Sequence, residues 1–169
     1  MKKFFLLVVS LFFAANLFAQ TSIKYQGEVD LGYSFGVGTF ATDRVNLNTI
    51  QGLKFGDYFS AGIGFGLDYF YEFYGDGKLF TPLYLNLKGY LPISLPVWEK
   101  SSLFVSFDIG SNRATVDGTA VSGLFYTPAI GAKIGMIKFQ FGYNMQKLSG
   151  GGVSGIDVNS IQLRVGAMF

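Results

Sequence analysis

The chain has 169 residues, with 13 Lys and Arg against 11 Asp and Glu, and it contains neither Cys nor His. This length is typical of one domain, and the lack of Cys excludes disulfides, thiolate metal sites and Cys nucleophiles. Only 14% of the residues are charged, against about 25% in soluble domains. Much of the surface is therefore expected not to face water.

The N-terminus is typical of a secretory signal peptide. Lys2 and Lys3 precede a short apolar run, and Ala19 is a suitable cleavage residue. We predict a signal peptide over residues 1–19 and an exported domain over residues 20–169. An uncleaved membrane anchor is the alternative, but the apolar run is short for a spanning helix. The exported domain then has equal numbers of basic and acidic residues, so no basic patch favours nucleic acid as a partner.

Beyond this leader, apolar and polar residues alternate with a period of two, which is typical of β-strands with two different faces. In the first such stretch the apolar residues take the odd positions and the charged residues the even ones. The pattern recurs along the chain and predicts eight strands: Ile23–Phe40, Arg44–Phe55, Phe59–Phe73, Thr81–Leu91, Leu103–Ile109, Gly123–Ile134, Ile137–Met145 and Val158–Phe169. Thr49 and Gln51 interrupt the apolar face of the second strand.

The connections between the strands are predicted from turn-forming residues. Gly56-Asp57 and Gly135-Met136 indicate tight turns at the end that carries both termini. Longer loops are expected at the opposite end, at Gly75–Phe80, Ser111–Ser122 and Lys147–Gly155.

Three prolines mark irregular positions in this pattern. Pro92 and Pro96 are expected to end the fourth strand, because proline cannot donate to a ladder. Pro128 predicts a bulge or an irregular first half in the sixth strand. The segment Pro92–Ser101 matches no standard hairpin connection, and the sequence predicts no structure for it.

The charged residues of the predicted strands all fall on the polar face, and none falls on an apolar face. They are Lys24, Glu28, Asp30, Lys54, Asp68, Glu72, Lys88, Asp108, Lys133, Lys138 and Arg164. A Lys or Arg that faces lipid at the bilayer midplane costs roughly 2–4 kcal/mol, so a charge-free face is typical of lipid contact. Because the two signs are nearly balanced, we predict that these residues form an ion-pair network inside a barrel.

The aromatic residues form two groups near opposite strand ends, as two membrane interfaces would select. One group is Tyr25, Phe55, Tyr58, Phe59, Tyr90, Trp98 and Phe139, and the other is Phe40, Tyr69, Tyr71, Phe73, Phe80, Tyr84, Tyr126 and Tyr143. The predicted fold is therefore all-β, an eight-stranded antiparallel up-and-down transmembrane β-barrel. A secreted, soluble lipocalin-like barrel that binds a ligand is the alternative, since a sheet facing water can also keep charges off one face.

The last predicted strand ends in IQLRVGAMF, with apolar residues at alternating positions. Together with the strand pattern, it resembles the small outer-membrane β-barrel proteins of Gram-negative bacteria, of the outer-membrane protein X and protein A transmembrane-domain type. The resemblance implies a place in the outer membrane, contact with its lipid, and insertion by the barrel-assembly machinery. It also implies that Ile161, Leu163, Val165 and Phe169 form the signal which that machinery reads.

Side chains can fill the interior of an eight-stranded barrel. We therefore expect a plugged, monomeric scaffold with a structural or surface-binding role, and no motif in the predicted loops identifies an external ligand. A narrow porin-like channel for ions or water is the alternative. An enzyme is not expected, because the chain has no His to act as a base and no phosphate-binding or metal-binding motif. No cofactor or metal is expected for the same reason.

Overall fold

The computed structural model describes residues 22–73, 75–95, 98–116, 118–150 and 153–169. The predicted signal peptide, residues 1–19, lies outside them. The strands are β1 (Ile23–Val37), β2 (Arg44–Phe55), β3 (Phe59–Phe73), β4 (Asp76–Leu95), β5 (Trp98–Val116), β6 (Thr119–Ile134), β7 (Ile137–Gly150), β8 (Val153–Asp157) and β9 (Asn159–Met168). No helix in this part of the chain is long and apolar enough to cross a membrane.

The strands form one closed antiparallel barrel in which each crossing pairs with the next along the chain. β8 and β9 both pair with β7 and together form the eighth strand of the barrel, with an interruption at Val158. The Val158 N–H donates to the Gln146 carbonyl (2.8 Å). β9 pairs with β1 and closes the ring. Gly27 and Phe169 exchange backbone hydrogen bonds of 2.8 and 2.9 Å at this seam. The predicted eight-stranded antiparallel barrel is confirmed.

The barrel has an apolar exterior and a polar interior over most of its height. Leu31 is 55% exposed on the outside of β1, whereas the neighbouring inward side chains of Asp30 and Ser34 are completely buried. Lys88 and Lys138 are also buried inside the barrel, at 1% and 0% exposure. This arrangement is the inverse of a water-soluble core, where charged side chains are rarely buried and large apolar side chains usually are.

Thr49 and Gln51, which interrupt the apolar exterior of β2, form hydrogen bonds with neighbouring residues. Thr49 Oγ1 donates to the Glu28 carbonyl at 2.9 Å, and Gln51 Nε2 donates to Thr49 Oγ1 at 2.8 Å. The Tyr25 hydroxyl donates to Gln51 Oε1. The register of β2 with β1 and β3 continues unbroken past these residues, so they remain on the outer face.

The three long loops predicted at the end opposite the termini are wrong. β4 begins at Asp76, β5 runs to Val116 and β6 begins at Thr119, so strands replace most of Gly75–Phe80 and Ser111–Ser122. β7 and β8 likewise cover most of Lys147–Gly155. We call this end of the barrel, over the described residues 68–73, 75–82, 111–116, 118–123, 146–150 and 153–158, the outer extension. Its inward side chains are mainly apolar. Its exposed side chains include Arg113 and Lys147 beside Tyr69, Tyr71 and Leu79, so the polarity of the two faces is partly inverted relative to the rest of the barrel.

Pro92 does not end β4, contrary to expectation, and Pro96 lies outside the described residues. β4 continues to Leu95, with Pro92 opposite Ser102 of β5. The Tyr90 N–H donates towards β3, to the Tyr58 carbonyl at 2.7 Å, so the ring nitrogen two residues later points to the same side. β3 pairs with β4 only as far as Gly89, and no ladder partner is lost at Pro92.

The predicted bulge at Pro128 is also absent. Pro128 pairs with Phe107 of β5, and the register with β5 is unbroken from Ser101 to Val116. The pairings with β7 on either side of Pro128 share one register. The proline is therefore accommodated in a regular strand.

Candidate functional site

The barrel interior is the candidate functional site, and its centre is Glu28 on β1. The Glu28 carboxylate accepts hydrogen bonds from Lys88 Nζ of β4, at 2.8 and 3.0 Å, and from Lys138 Nζ of β7. Lys138 Nζ also lies 2.8 Å from Asp30 Oδ2. Three strands that are not neighbours in the ladder are thus connected across the lumen by ion pairs.

A second ion pair lies beside the first and joins β5 to β9. Arg164 Nη1 lies 3.0 Å from Asp108 Oδ2, and both side chains are almost fully buried. Asn86 connects the two groups, because its amide donates to Asp108 Oδ1 while its Oδ1 accepts from Lys88 Nζ at 2.6 Å. Every one of these charges therefore has an opposite charge within reach, which is the condition for stable burial.

A third set of polar contacts lies nearer the outer extension and is centred on Arg44, which the sequence analysis did not include. Its guanidinium donates to Asn144 Oδ1 (2.8 Å), Gln146 Oε1 (3.0 Å) and Ser160 Oγ (3.2 Å). Its Nε lies 3.8 Å from Asp68 Oδ2. Arg44 opens β2, but it shares the even positions with Asn46 and Asn48, and that parity could have identified it.

The predicted network residues divide into two groups in the structure. Seven of them are buried inside the barrel: Glu28, Asp30, Asp68, Lys88, Asp108, Lys138 and Arg164. With Arg44, the buried charged side chains among the described residues are four acids and four bases. The other four, Lys24, Lys54, Glu72 and Lys133, are exposed or half-buried near the strand ends. Lys54 Nζ lies 3.8 Å from the exposed Asp57 and 5.1 Å from the centre of the Tyr90 ring.

Apolar side chains fill the lumen at both ends of the polar region. At the end with the termini, Tyr90, Phe104 and Met168 pack together. In the outer extension a larger cluster is formed by Phe70, Phe73, Phe80, Val116, Val121, Leu148 and Val158. Ile50, Tyr84 and Phe125 form a third cluster between the two ends.

These clusters correct the interface assignment of four aromatic residues. Phe73, Phe80, Tyr84 and Tyr90 were predicted in the girdles, but their side chains are at most 6% exposed and point inward. Tyr84 occupies the space beside Gly64, where a Cβ would overlap its ring. Aromatic residues at strand ends belong to either face, and composition alone does not separate the two.

The remaining free volume inside the polar region is small. A cavity of about 10 Å³ lies among Arg44, Asp68, Tyr84, Gln162 and Arg164. That is roughly the space of one water molecule. Within the described ranges no group of three or more Asp, Glu, His or Cys residues could hold a metal ion.

The residues of the predicted assembly signal lie on the outer face of β9 and at its end. Leu163, Val165 and Phe169 are 48%, 44% and 56% exposed, and Ile161 is half-buried. The Phe169 ring lies over Gly27 of β1, where a Cβ would overlap it. The signal residues therefore line the seam at which the barrel closes.

Neither the models of known protein families nor the curated proteins give a match to this sequence. The fold has solved counterparts. Neisserial surface protein A aligns with 88% of this chain and 99% of its own, with 9% identity and a TM-score of 0.61. The N-terminal β-barrel domain of Pseudomonas aeruginosa OprF aligns with 88% of this chain and 100% of its own, with 10% identity and a TM-score of 0.54. These matches confirm, for the fold, the resemblance to small outer-membrane barrels.

Proposed function

We propose that this chain is an integral outer-membrane protein whose barrel is a closed, non-conducting and non-enzymatic scaffold. The apolar exterior supports the membrane placement. Arg113, Lys147 and Asp157 are exposed charged residues of described strands, and all three lie in the outer extension. Below them the exterior is a continuous belt of large apolar residues, for which a bilayer is the favourable solvent.

The observation that carries the closed-scaffold proposal is the filling of the lumen at successive levels. Apolar clusters occupy both ends, and the ion pairs of Glu28 and Asp108 span the centre. An ion entering from either end would meet buried aromatic rings first and would then have to displace Lys88 or Arg164 from its acid. This filling favours a plugged barrel over the narrow channel.

The same side chains support a non-enzymatic role. The buried carboxylates of Glu28, Asp68 and Asp108 already accept hydrogen bonds from cations or amides. The cavity beside Asp68 has space for about one water molecule. We further propose that the partners are membrane lipid and, during insertion, the assembly machinery that reads Phe169. Export across the inner membrane and a monomeric state are part of the same proposal.

Planar-bilayer recording tests the closed scaffold. We expect the refolded protein to give no conductance steps above the lipid background, with insertion verified by heat-modifiable gel mobility of the same sample. Discrete steps from the wild type would contradict the proposal and favour the narrow channel. In that case Glu28→Gln would shift the ion selectivity towards anions, whereas a leak around a misfolded barrel would not change its selectivity.

Membrane fractionation tests the placement separately. The protein is expected in the outer-membrane fraction, with gel mobility that changes on boiling. Recovery as a soluble secreted protein would support the lipocalin-like alternative.

A further inference from the structure

A long groove crosses the apolar exterior from β1 to β5 and ends at a cation. Its volume is about 790 Å³. One side of it is a row of laterally paired residues, Val29, Thr49, Phe65, Leu83 and Ser111. The short side chains of Thr49 and Thr81 line the groove together with the larger Leu47, Phe65 and Leu83.

The groove changes depth in the membrane along its length. Val29 lies in the middle of the apolar exterior of β1, between Tyr25 and Phe35. On β5 the exposed apolar residues stop at Ile109, and Arg113 lies beyond that edge. Adjacent strands are about 4.8 Å apart, so four steps span roughly 19 Å. The groove thus rises from the hydrocarbon region to the outer interface over a distance that suits an acyl chain.

A second depression, of about 510 Å³, adjoins the groove on the side of the outer extension. The two share Thr81 and Arg113, and hydroxyl residues including Thr115 and Ser122 line the second one. No acidic residue lines either depression. Arg113 is exposed and, among the described side chains, has no ion-pair partner, whereas nearby Lys147 lies 3.8 Å from Asp157.

We propose that this surface binds a phosphate-bearing lipid of the outer leaflet, with an acyl chain in the groove and the phosphate on Arg113. The guanidinium fork matches two phosphate oxygens, and the exposed hydroxyls of Thr115 and Ser122 can donate further hydrogen bonds, whereas the Thr81 hydroxyl already donates to the Arg113 carbonyl (3.2 Å). The inference rests on the proposed membrane placement. A groove that faces hydrocarbon is filled by lipid chains, and the unpaired cation at its outer end selects an anionic headgroup.

Native mass spectrometry of the full exported protein in a neutral detergent tests the site. The probes are phosphatidylglycerol and a diacylglycerol with the same acyl chains. The wild type is expected to retain phosphatidylglycerol about tenfold better, since one charge-assisted hydrogen bond is worth about that factor. Arg113→Gln should abolish this preference, and Arg113→Lys should keep part of it.

Matched variants separate a built site from general surface charge. Lys147→Gln removes a neighbouring cation and should leave the preference unchanged. Thr81→Trp fills the groove beside Arg113 and should reduce retention of both lipids. Ala132→Trp fills another apolar depression, near Gly89, that has no cation in its lining, and should leave the preference unchanged.

Three results would overturn the lipid site. The first is equal retention of the two probes by the wild type, and the second is an unchanged preference for phosphatidylglycerol in Arg113→Gln. The third is a loss of this preference in Lys147→Gln or Ala132→Trp as large as that in Arg113→Gln. A dimer that Thr81→Trp abolishes would assign the groove to a second copy and would also overturn it. Heat-modifiable mobility is measured for every variant, so loss of lipid preference in a folded barrel is distinguished from failure of the membrane placement.

Discussion

The part of the barrel with the apolar exterior, here called the belt, and the outer extension are built from the same strands. Their inward and outward faces differ in polarity. In the belt, Leu85 and Phe107 face outward and Lys88 and Asp108 face inward. In the extension, Phe80 faces inward and is completely buried, while the outward Arg113 is exposed. The backbone alternation is the same in both regions, and under the proposed membrane placement the solvent outside each region accounts for which residues lie on which face.

The strongest test of this comparison is to remove a buried cation from the interior of the belt. Lys138→Met removes the ion-pair partner of Asp30 and one of the two cations on Glu28. Breaking a buried pair in this way costs about 3–5 kcal/mol, because it leaves uncompensated buried charge. Urea unfolding in lipid vesicles, followed by gel mobility, measures the change.

The control for that variant is Lys54→Met, where the lysine is half-buried at the strand end. Its effect is expected to be below about 1 kcal/mol. Similar losses for Lys54→Met and Lys138→Met would mean that the central ion pairs do not stabilise the barrel.

Removal of a buried aromatic ring from the interior of the outer extension is expected to have a local effect. Phe80→Ala removes a buried ring that packs on Phe70 and Phe73, at centroid distances of 4.8 and 5.2 Å. A cavity of this kind costs about 3 kcal/mol. Because the extension lies outside the belt, we expect faster proteolysis of its hairpins without loss of heat-modifiable mobility. Loss of the mobility shift at the same time would show that the two regions unfold as one unit.

The outer faces are compared by placing one charge in each region of β5. Val105→Arg puts a cation in the belt, where Val105 is 61% exposed, and should reduce the stability of the inserted barrel by roughly 2–4 kcal/mol. Thr115→Arg puts the same charge on the outer face of the extension and should change the stability little. Unfolding midpoints of the two variants in vesicles measure the difference, and equal values would overturn the assignment of the belt to lipid.

The smallest expected effect is on the exposed ion pair of the extension. Lys147 and Asp157 are 3.8 Å apart, and both side chains are about two-thirds exposed. Lys147→Gln should therefore reduce the stability by less than about 1 kcal/mol, and this difference should disappear at high salt. A loss as large as that of Lys138→Met would show that water does not screen this part of the barrel.

The belt could be predicted from the sequence, because its apolar exterior and charged interior give the same alternation, apolar outward and polar inward, along each strand. The outer extension could not be recognised by the same rule, since Phe80 and Val121 place apolar residues on the face that is polar in the belt. Its strands were predicted as loops because they contain polar and glycine-rich stretches that are typical of turns. A search for alternation of either polarity would have found them.

Within the interior, parity placed Glu28 and Lys138 on the correct face, but it could not give their partners. Glu28 contacts Lys88 and Lys138 because the curvature of the ring brings β4 and β7 to β1. Arg44 was missed because it is the first residue of its strand, so that only the residues after it indicate which face it belongs to. The positions of Lys24 and Glu72 outside the buried network show the same uncertainty at strand ends.

The ion pairs around Glu28 also determine how the chain can reach its final state. Lys138 follows Glu28 by 110 residues, and Arg164 follows Asp108 by 56. Until the last strand has been added, Asp108 has no Arg164, and the edges of β1 and β7 have no partner. High contact order of this kind makes folding slow. In the membrane placement that we propose, each partial ring would expose unpaired backbone and charge to hydrocarbon. We therefore expect the strands to stay in water or on another protein until the ring closes.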